Sequence, residues 1–358
     1  MSLLEDTLKE IKGADKDAIL KSKDKWDKLG KPLGSLGTLE DLGMKISGMT
    51  GNITNSVKKR AIVVLAGDNG IYEENIASSP KEFTVILVEN TAGGLTGVAT
   101  LAKYTNSDVF VVDLGVDGEI EHEDVIKRKI AYGTKNFTKG PAMTREECIK
   151  AIEHGIEIAD NLFKDGYEML GVGELGIGNT TTSSAILSVL SDLDPETTCG
   201  LGAGLTPEQY ENKLRVIKKG ISVNNPDPKD PIDVISKIGG FDIAGMVGVY
   251  LSAAKNRRPV VIDGFISSAA ALCAVRLNEH VKDYLIPSHL SKEPAAEYML
   301  KELGLEAMVN MKMRLGEGSG CPLAFQLIDT ALFVEENMGT FKELKIDSSI
   351  LLDMREEE

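Results

Sequence analysis

Four polar groups, each set among glycines or at a helix start, give this chain its chemical prospects. The first is the carboxylate of Glu317, in Arg314-Leu315-Gly316-Glu317-Gly318-Ser319-Gly320. Glycine lets the backbone take positive φ and approach a ligand closely. A helical pattern follows at once in Cys321-Pro322-Leu323-Ala324-Phe325. Pro322 suits a first helical turn, and Ser319 is the expected N-cap. Glu317 is therefore expected in a tight loop over a helix N-terminus, where backbone amides favour anions. Either it serves only the turn, or it faces a ligand lying on those amides.

The second is Glu174, in Gly171-Val172-Gly173-Glu174-Leu175-Gly176. The spacing satisfies the dinucleotide GxGxxG pattern, but it falls on a late strand, and Gly178-Asn179-Thr180-Thr181-Thr182 follows. Asn179 reads as the N-cap of the next helix. A mononucleotide phosphate or ribose site, with Glu174 near the sugar, fits this order better. The third is Lys213. Cys199-Gly200-Leu201-Gly202-Ala203-Gly204-Leu205 is a second glycine loop, and Thr206-Pro207-Glu208-Gln209 opens a helix as a capping box. In that helix Lys213 flanks the apolar stripe of Tyr210, Leu214, Ile217 and Ile221. With helix-start amides it would neutralise a phosphate, whereas Arg215, Lys218 and Lys219 read as solvated. The fourth is Ser291, a hydroxyl at a helix start beside Ser288-His289-Leu290. Gly239-Gly240-Phe241-Asp242 reads as a close-packing helix start.

These groups need a scaffold. Ala61-Ile62-Val63-Val64-Leu65-Ala66 is a continuous apolar run closed by Gly67-Asp68-Asn69-Gly70, and comparable runs lie at 109–114, 169–172, 260–262 and, more weakly, 284–286. Helical patterns at 82–103, 144–164, 180–191, 207–221 and 241–255 separate them. Fully apolar strands alternating with helices predict a parallel sheet covered on both faces. Residues 3–50 and those from 292 onward are helical in pattern, with a turn at Lys31-Pro32-Leu33-Gly34-Ser35-Leu36-Gly37. The expected architecture is α/β: a doubly wound, mainly parallel sheet, plus a small helical domain built from both termini. The expected division sets 1–55 with 292–358 apart from a large nucleotide-binding domain at 56–291. Ligands of such sheets bind beyond the carboxyl ends of the strands, where the glycines and acids gather.

Composition narrows the partners. Of the 358 residues 36 are glycine, above the usual ~7%, which favours backbone-lined ligand sites. A net charge of −15 offers no basic field to nucleic acid or to an anionic membrane. Cys148, Cys199, Cys273 and Cys321 are scattered, without CxxC or Cys/His spacing. They read as reduced thiols in a cytoplasmic protein, not as a metal site. The four histidines also lack ligand spacing, and no signal peptide is evident.

In order along the chain, Lys31-Pro32-Leu33-Gly34-Ser35-Leu36-Gly37, Ala66-Gly67-Asp68-Asn69-Gly70, Gly173-Glu174-Leu175-Gly176-Ile177-Gly178-Asn179-Thr180-Thr181, Gly239-Gly240-Phe241-Asp242, Asp263-Gly264-Phe265 and Arg314-Leu315-Gly316-Glu317-Gly318-Ser319-Gly320 together resemble the nicotinate-nucleotide–dimethylbenzimidazole phosphoribosyltransferases. The resemblance runs from about residue 20 to 340. It implies transfer of phosphoribose from nicotinate mononucleotide to a benzimidazole-type base, with no metal or cofactor, by a homodimer. It further implies Glu317 as general base and Glu174 as a second carboxylate at the site. Gly176, Gly202, Gly204, Lys213, Ser291 and Gly316 match positions around the nucleotide, with Asn179 beside them; Ser79 and Leu315 match the base pocket. Two positions depart from the pattern: Asn69 stands where the family typically has His, and Leu87 where a polar Gln is often found. A helix N-terminus would lower the basicity of Glu317, and burial would raise it. Two other readings stay open from the residues alone, a nicotinamide-dinucleotide-dependent oxidoreductase and a noncatalytic nucleotide-binding protein.

Overall fold

Strands buried on both faces need apolar residues throughout, and such segments supply most of the six strands that meet in one sheet. They are β1 (Arg60–Gly67), β2 (Asp108–Gly115), β3 (Ile126–Lys127), β4 (Met169–Leu175), β5 (Val260–Ile262) and β6 (Leu285–Pro287). A computed structural model describes residues 2–200, 204–347 and 353. The strand order is β3-β2-β1-β4-β5-β6, and every neighbouring pair is parallel. β1 and β4 are buried at every position, which is why neither shows polar alternation. The chain builds outward from β1 through β2 to β3, then restarts on the other side at β4. The direction reverses between β1 and β4, so their carboxyl ends form a crevice.

Glycine sets how closely the covering layer approaches. The Arg145–Lys164 and Phe241–Lys255 helices cross so tightly that a Cβ at Gly155 would lie 2.0 Å from the Gly245 carbonyl oxygen. A Cβ at Gly248 would lie 2.0 Å from that of Ile152. This contact fixes the second helix, whose first turn carries Asp242 at the carboxyl edge of the sheet.

The sequence pattern misplaces several boundaries. β4 runs three residues beyond its apolar run, so Glu174 is on the strand, not in the following loop. β3 is only two residues long and has no apolar run to announce it. The expected helix at 82–103 is two helices, Phe83–Ala92 and Gly97–Tyr104. The stretch Phe83–Tyr104 is apolar and long enough to cross a membrane, but Gly93 and Gly94, the latter at φ 78°, break it into pieces too short to do so.

Helices from both ends of the chain, Lys16–Asp27, Thr38–Thr50 and Cys321–Asn337, pack together. Leu42, Ile46, Met49, Phe325 and Ile328 join the same hydrophobic core as the strands. The turn at 31–37 is tied down by a buried ion pair, with Lys31 Nζ 2.6 Å from Glu40 Oε1, and the same oxygen accepts the Leu36 N–H at 2.9 Å.

Gly248→Ala is expected to cost about 1–3 kcal/mol, because the added methyl meets backbone that cannot rotate away. Thermal denaturation checks this; an unchanged Tm would refute the packing argument.

Candidate active site

Glu317 sits at φ 65°, between Gly316 at 81° and Gly318 at 91°. Three left-handed residues in succession make the turn, and the one carrying a side chain costs about 1 kcal/mol or more. The loop lies directly on β4. A Cβ at Gly173 would come 2.2 Å from the Glu317 carbonyl oxygen, and one at Gly171 2.7 Å from Cys321 Cβ. The first two glycines of the GxGxxG spacing are therefore covered by the chain's own backbone. No cradle is left there for a dinucleotide pyrophosphate, which removes the basis of the oxidoreductase reading.

Two expectations for the ends of this loop are corrected. Ser319 is not the N-cap: Gly320 precedes the helix and makes no side-chain cap, and the buried Ser319 hydroxyl has no partner. Pro322 does lie in the first turn. Nor does Glu317 lie over its own helix. Its Oε2 accepts the Val98 N–H at 3.3 Å, and the Gly97 N–H also faces it, both from the start of the Gly97–Tyr104 helix. These amides favour the carboxylate, but burial outweighs them and raises the Glu317 pKa above its ordinary value.

Glu174 is the penultimate residue of β4, with its side chain buried. Its carboxylate accepts from the Asn179 side chain and faces the Glu317 backbone N–H. Asn179 is thus not the expected N-cap. It is the first helical residue, preceded by Gly178 at φ 95°, and its amide turns back to Glu174. Burial, then Asp242 and Asp263, push the Glu174 pKa well up. Both aspartates are buried as well, and burial raises each to about 7. The Asp263 carboxylate receives the Gly318 N–H at 3.0 Å and the Gly320 N–H at 2.6 Å. Asp242 faces the Asn179 amide and the Ile243 N–H, though neither reaches hydrogen-bonding geometry.

Glu174, Asp263 and Glu317 border a cavity of about 340 Å³, with Asp242 behind Glu174. Its lining brings together Ser79, Leu87, Glu174, Gly176, Asn179, Ser291, Leu315, Gly316 and Glu317, drawn from segments far apart in sequence. Leu315, 57% exposed, forms the rim. Lys213 lines an adjoining cavity of about 100 Å³ that shares Ser79, Gly176 and Asn179 with the first. The lysine is fully buried and donates to Thr180 Oγ1 at 3.1 Å and the Gly200 carbonyl at 3.2 Å. Desolvation lowers its pKa. Gly204 is exposed at φ 116° and lines neither cavity; Gly202 lies outside the described residues. Asn69 is buried behind the site, with its amide directed to the Gly67 carbonyl at 3.4 Å, and is absent from both linings. Larger grooves of about 780 and 790 Å³ contain none of the site residues.

Sequence reasoning missed Asp242, Asp263 and Thr84 as members of this site. Asp242 read as part of a packing motif, although an acid beside two glycines at a strand edge was a usable signal. Thr84 lines the cavity and donates to the buried Asp68 at 2.6 Å. It also accepts the Ile177 N–H at 3.4 Å, joining the two walls of the crevice. His289 lines the cavity and pairs with Ser288 Oγ at 3.0 Å. Burial lowers its pKa, which favours the neutral ring. Among the described residues no group of His, Cys, Asp and Glu is arranged to hold a metal ion, and all four cysteines are buried and unpaired.

A family profile described as phosphoribosyltransferase matches residues 11–346. A nicotinate-nucleotide–dimethylbenzimidazole phosphoribosyltransferase of Clostridium tetani is 51% identical over 99% of both chains. One of Acetivibrio thermocellus is 48% identical over 96% of this chain and 98% of its own. The crystal structure of an enzyme of that name from Thermus thermophilus superposes with a TM-score of 0.88 at 32% identity, covering 94% of this chain and 100% of its own.

The buried aspartates give a stability test. With folded pKa values near 7 against an ordinary 3.8, the folded chain keeps protons that the unfolded chain has released. That stabilisation is complete below about pH 3.8 and is lost as the pH rises through 7. The ligand-free protein is therefore expected to fall in Tm between about pH 5 and 8, and Asp242→Asn to flatten the fall. An equal slope in the variant would refute the raised Asp242 pKa.

Proposed function

The chain belongs to the nicotinate-nucleotide–dimethylbenzimidazole phosphoribosyltransferase family, and from that premise we propose how its cavity performs the reaction. The enzyme transfers the 5-phosphoribosyl group of nicotinate mononucleotide to 5,6-dimethylbenzimidazole or a related base. Nicotinate leaves, and an α-ribazole 5′-phosphate forms with inversion at C1′, a step of cobalamin nucleotide-loop assembly. The observation that carries the reading is the meeting of Glu174 and Glu317 in one cavity, with a buried lysine in the smaller cavity that adjoins it.

Each part of the reaction has a group suited to it. The attacking imidazole nitrogen is neutral, and its partner nitrogen must lose a proton as the C–N bond forms. Glu317 is the base that takes it, and a carboxylate with a raised pKa holds that proton better than an ordinary one. Positive charge develops on the ribose as nicotinate departs. Glu174, with the buried Asp242 behind it, stabilises that charge, and its low-dielectric surroundings strengthen the effect. A cation arriving there lowers the pKa values that burial has raised, so the carboxylates become anionic when the sugar needs them. Lys213 takes the 5′-phosphate. Its hydrogen bonds go to neutral oxygens, with Cys199 and the Glu293 carboxylate acting on it from nearby, and a phosphate would outmatch those oxygens. Gly176, Asn179, Ser291 and Gly316 border the nucleotide, and Ser79, Leu87 and Leu315 the base. Leu87 makes that wall apolar and favours bases without a polar group there. No metal enters this scheme.

The proposal extends to assembly. Phe83, Ile86 and Tyr104, on the two helices that follow the Ser79 loop, and Leu95 between them are exposed, and exposed apolar side chains of this size are the kind that interfaces cover. They support a homodimer, which we take to work in the cytoplasm. The terminal segments 1–55 and 292–358 are proposed to act as a small domain beside 56–291.

Incubation with nicotinate mononucleotide and dimethylbenzimidazole, followed by nicotinate release, tests the reaction; binding without release would leave a noncatalytic protein. Glu317→Gln is expected to lose about 10²–10⁴-fold in turnover while folding normally, and near-native turnover would sink the base assignment. Lys213→Met is expected to raise the KM for nicotinate mononucleotide about tenfold or more, as loss of a charged hydrogen bond should. An unchanged KM would remove Lys213 from the phosphate site.

A further inference from the structure

The Glu317 loop rests on a surface without side chains. Beneath it are Gly171 and Gly173 of β4, which supply close contact and no polar hold. The Ser319 and Cys321 N–H groups are satisfied within the turn, by the Gly316 and Gly318 carbonyls at 3.0 and 3.1 Å. The Glu317 N–H faces the Glu174 carboxylate, and two further backbone donors, those of Gly318 and Gly320, lie on either side of the turn that follows Glu317. Each finds one oxygen of the Asp263 carboxylate, at 3.0 and 2.6 Å.

Asp263 is itself held. It follows β5 directly, is 3% exposed, and its carbonyl accepts the Ser288 hydroxyl at 2.7 Å. The approach leaves no slack: a Cβ at Gly320 would lie 2.3 Å from His289 Nδ1 and 2.8 Å from Asp263 Oδ1. A carboxylate suits this place because both its oxygens accept. An asparagine would set an N–H against one of the two amides.

We propose that Asp263 is the positioning residue for Glu317, clamping the Gly318 and Gly320 amides so that the left-handed turn holds the Glu317 carboxylate at the reacting base. This rests on the reading of Glu317 as the group that takes the proton. It assigns Asp263 no contact with the reacting atoms. Its effect passes through the loop, and the phosphate end at Lys213 is independent of it. A displacement of about 1 Å at a catalytic group is enough to lower turnover about 10²-fold.

Steady-state kinetics of Asp263→Asn, Glu317→Gln and the double variant separate the two ideas. Asp263→Asn is expected to lower kcat about 10- to 100-fold, with the KM for nicotinate mononucleotide nearly unchanged. The double variant is expected to be no slower than Glu317→Gln alone, since residues acting as one unit are not additive. Near-native turnover of Glu317→Gln would refute the base reading itself. A slow Glu317→Gln beside an Asp263→Asn with native kcat overturns only the clamp, as does a double variant whose losses multiply or a KM that rises as kcat falls. Should Asp263→Asn not fold, Ser288→Ala removes the support behind the clamp. It is then expected to lower kcat severalfold at constant KM, and an unchanged kcat overturns the proposal.

Discussion

The site depends on a steric fact at one strand. Where Gly173 would carry a side chain, the carbonyl of Glu317 lies instead, and Cys321 occupies the space beside Gly171. A loop can reach the middle of a parallel sheet only where the strand beneath it is bare. β4 is bare at alternate residues on one face, and Glu174, next after Gly173, brings a carboxylate to the strand end under the loop. The same pattern of glycines that resembles a dinucleotide motif thus works inwardly, seating the chain on itself.

That seating gathers charge of one sign. Glu174, Asp242, Asp263 and Glu317 come from β4, the Phe241–Lys255 helix, the end of β5 and the loop before the Cys321–Asn337 helix. Burial makes each reluctant to ionise. At the other end of the paired cavities Lys213 is buried too, and desolvation weakens its hold on its proton. Burial acts on all five groups in the direction that reduces their charge. A ligand with a phosphate at one end and a cationic sugar at the other reverses those shifts. The polarity of the cavity therefore matches the polarity of a nucleotide whose base is leaving, and the acidic net charge of the chain does not oppose it locally.

Helix starts show why local rules mislead at such a site. Ser319 and Asn179 both have the right residue type for an N-cap, and neither caps. Glycine precedes each helix, at 320 and 178. The freed Asn179 side chain bonds the Glu174 carboxylate, while Ser319 is left buried without a partner. Where nothing else competes, as at Thr206, the capping box forms as the sequence suggests, and another forms at Thr144.

The apolar runs of β1, β2 and β5, the glycine loops and the ordered motifs are legible in the sequence because each depends on neighbours within a few residues. Period, turn chemistry and steric need for glycine are local properties, and they sufficed for the α/β class and for Glu317, Glu174 and Lys213 as residues of interest. The partners of those residues were not legible. Glu317 finds its amides at 97–98, some 219 positions away, and its loop is bonded to Asp263 across 55. Which strand ends adjoin is settled by the order β1-β4-β5, and which groups lose water is settled by how the helices cover that edge. Hydrogen-bond pairing and desolvation both act through space, so only the tertiary structure could decide them.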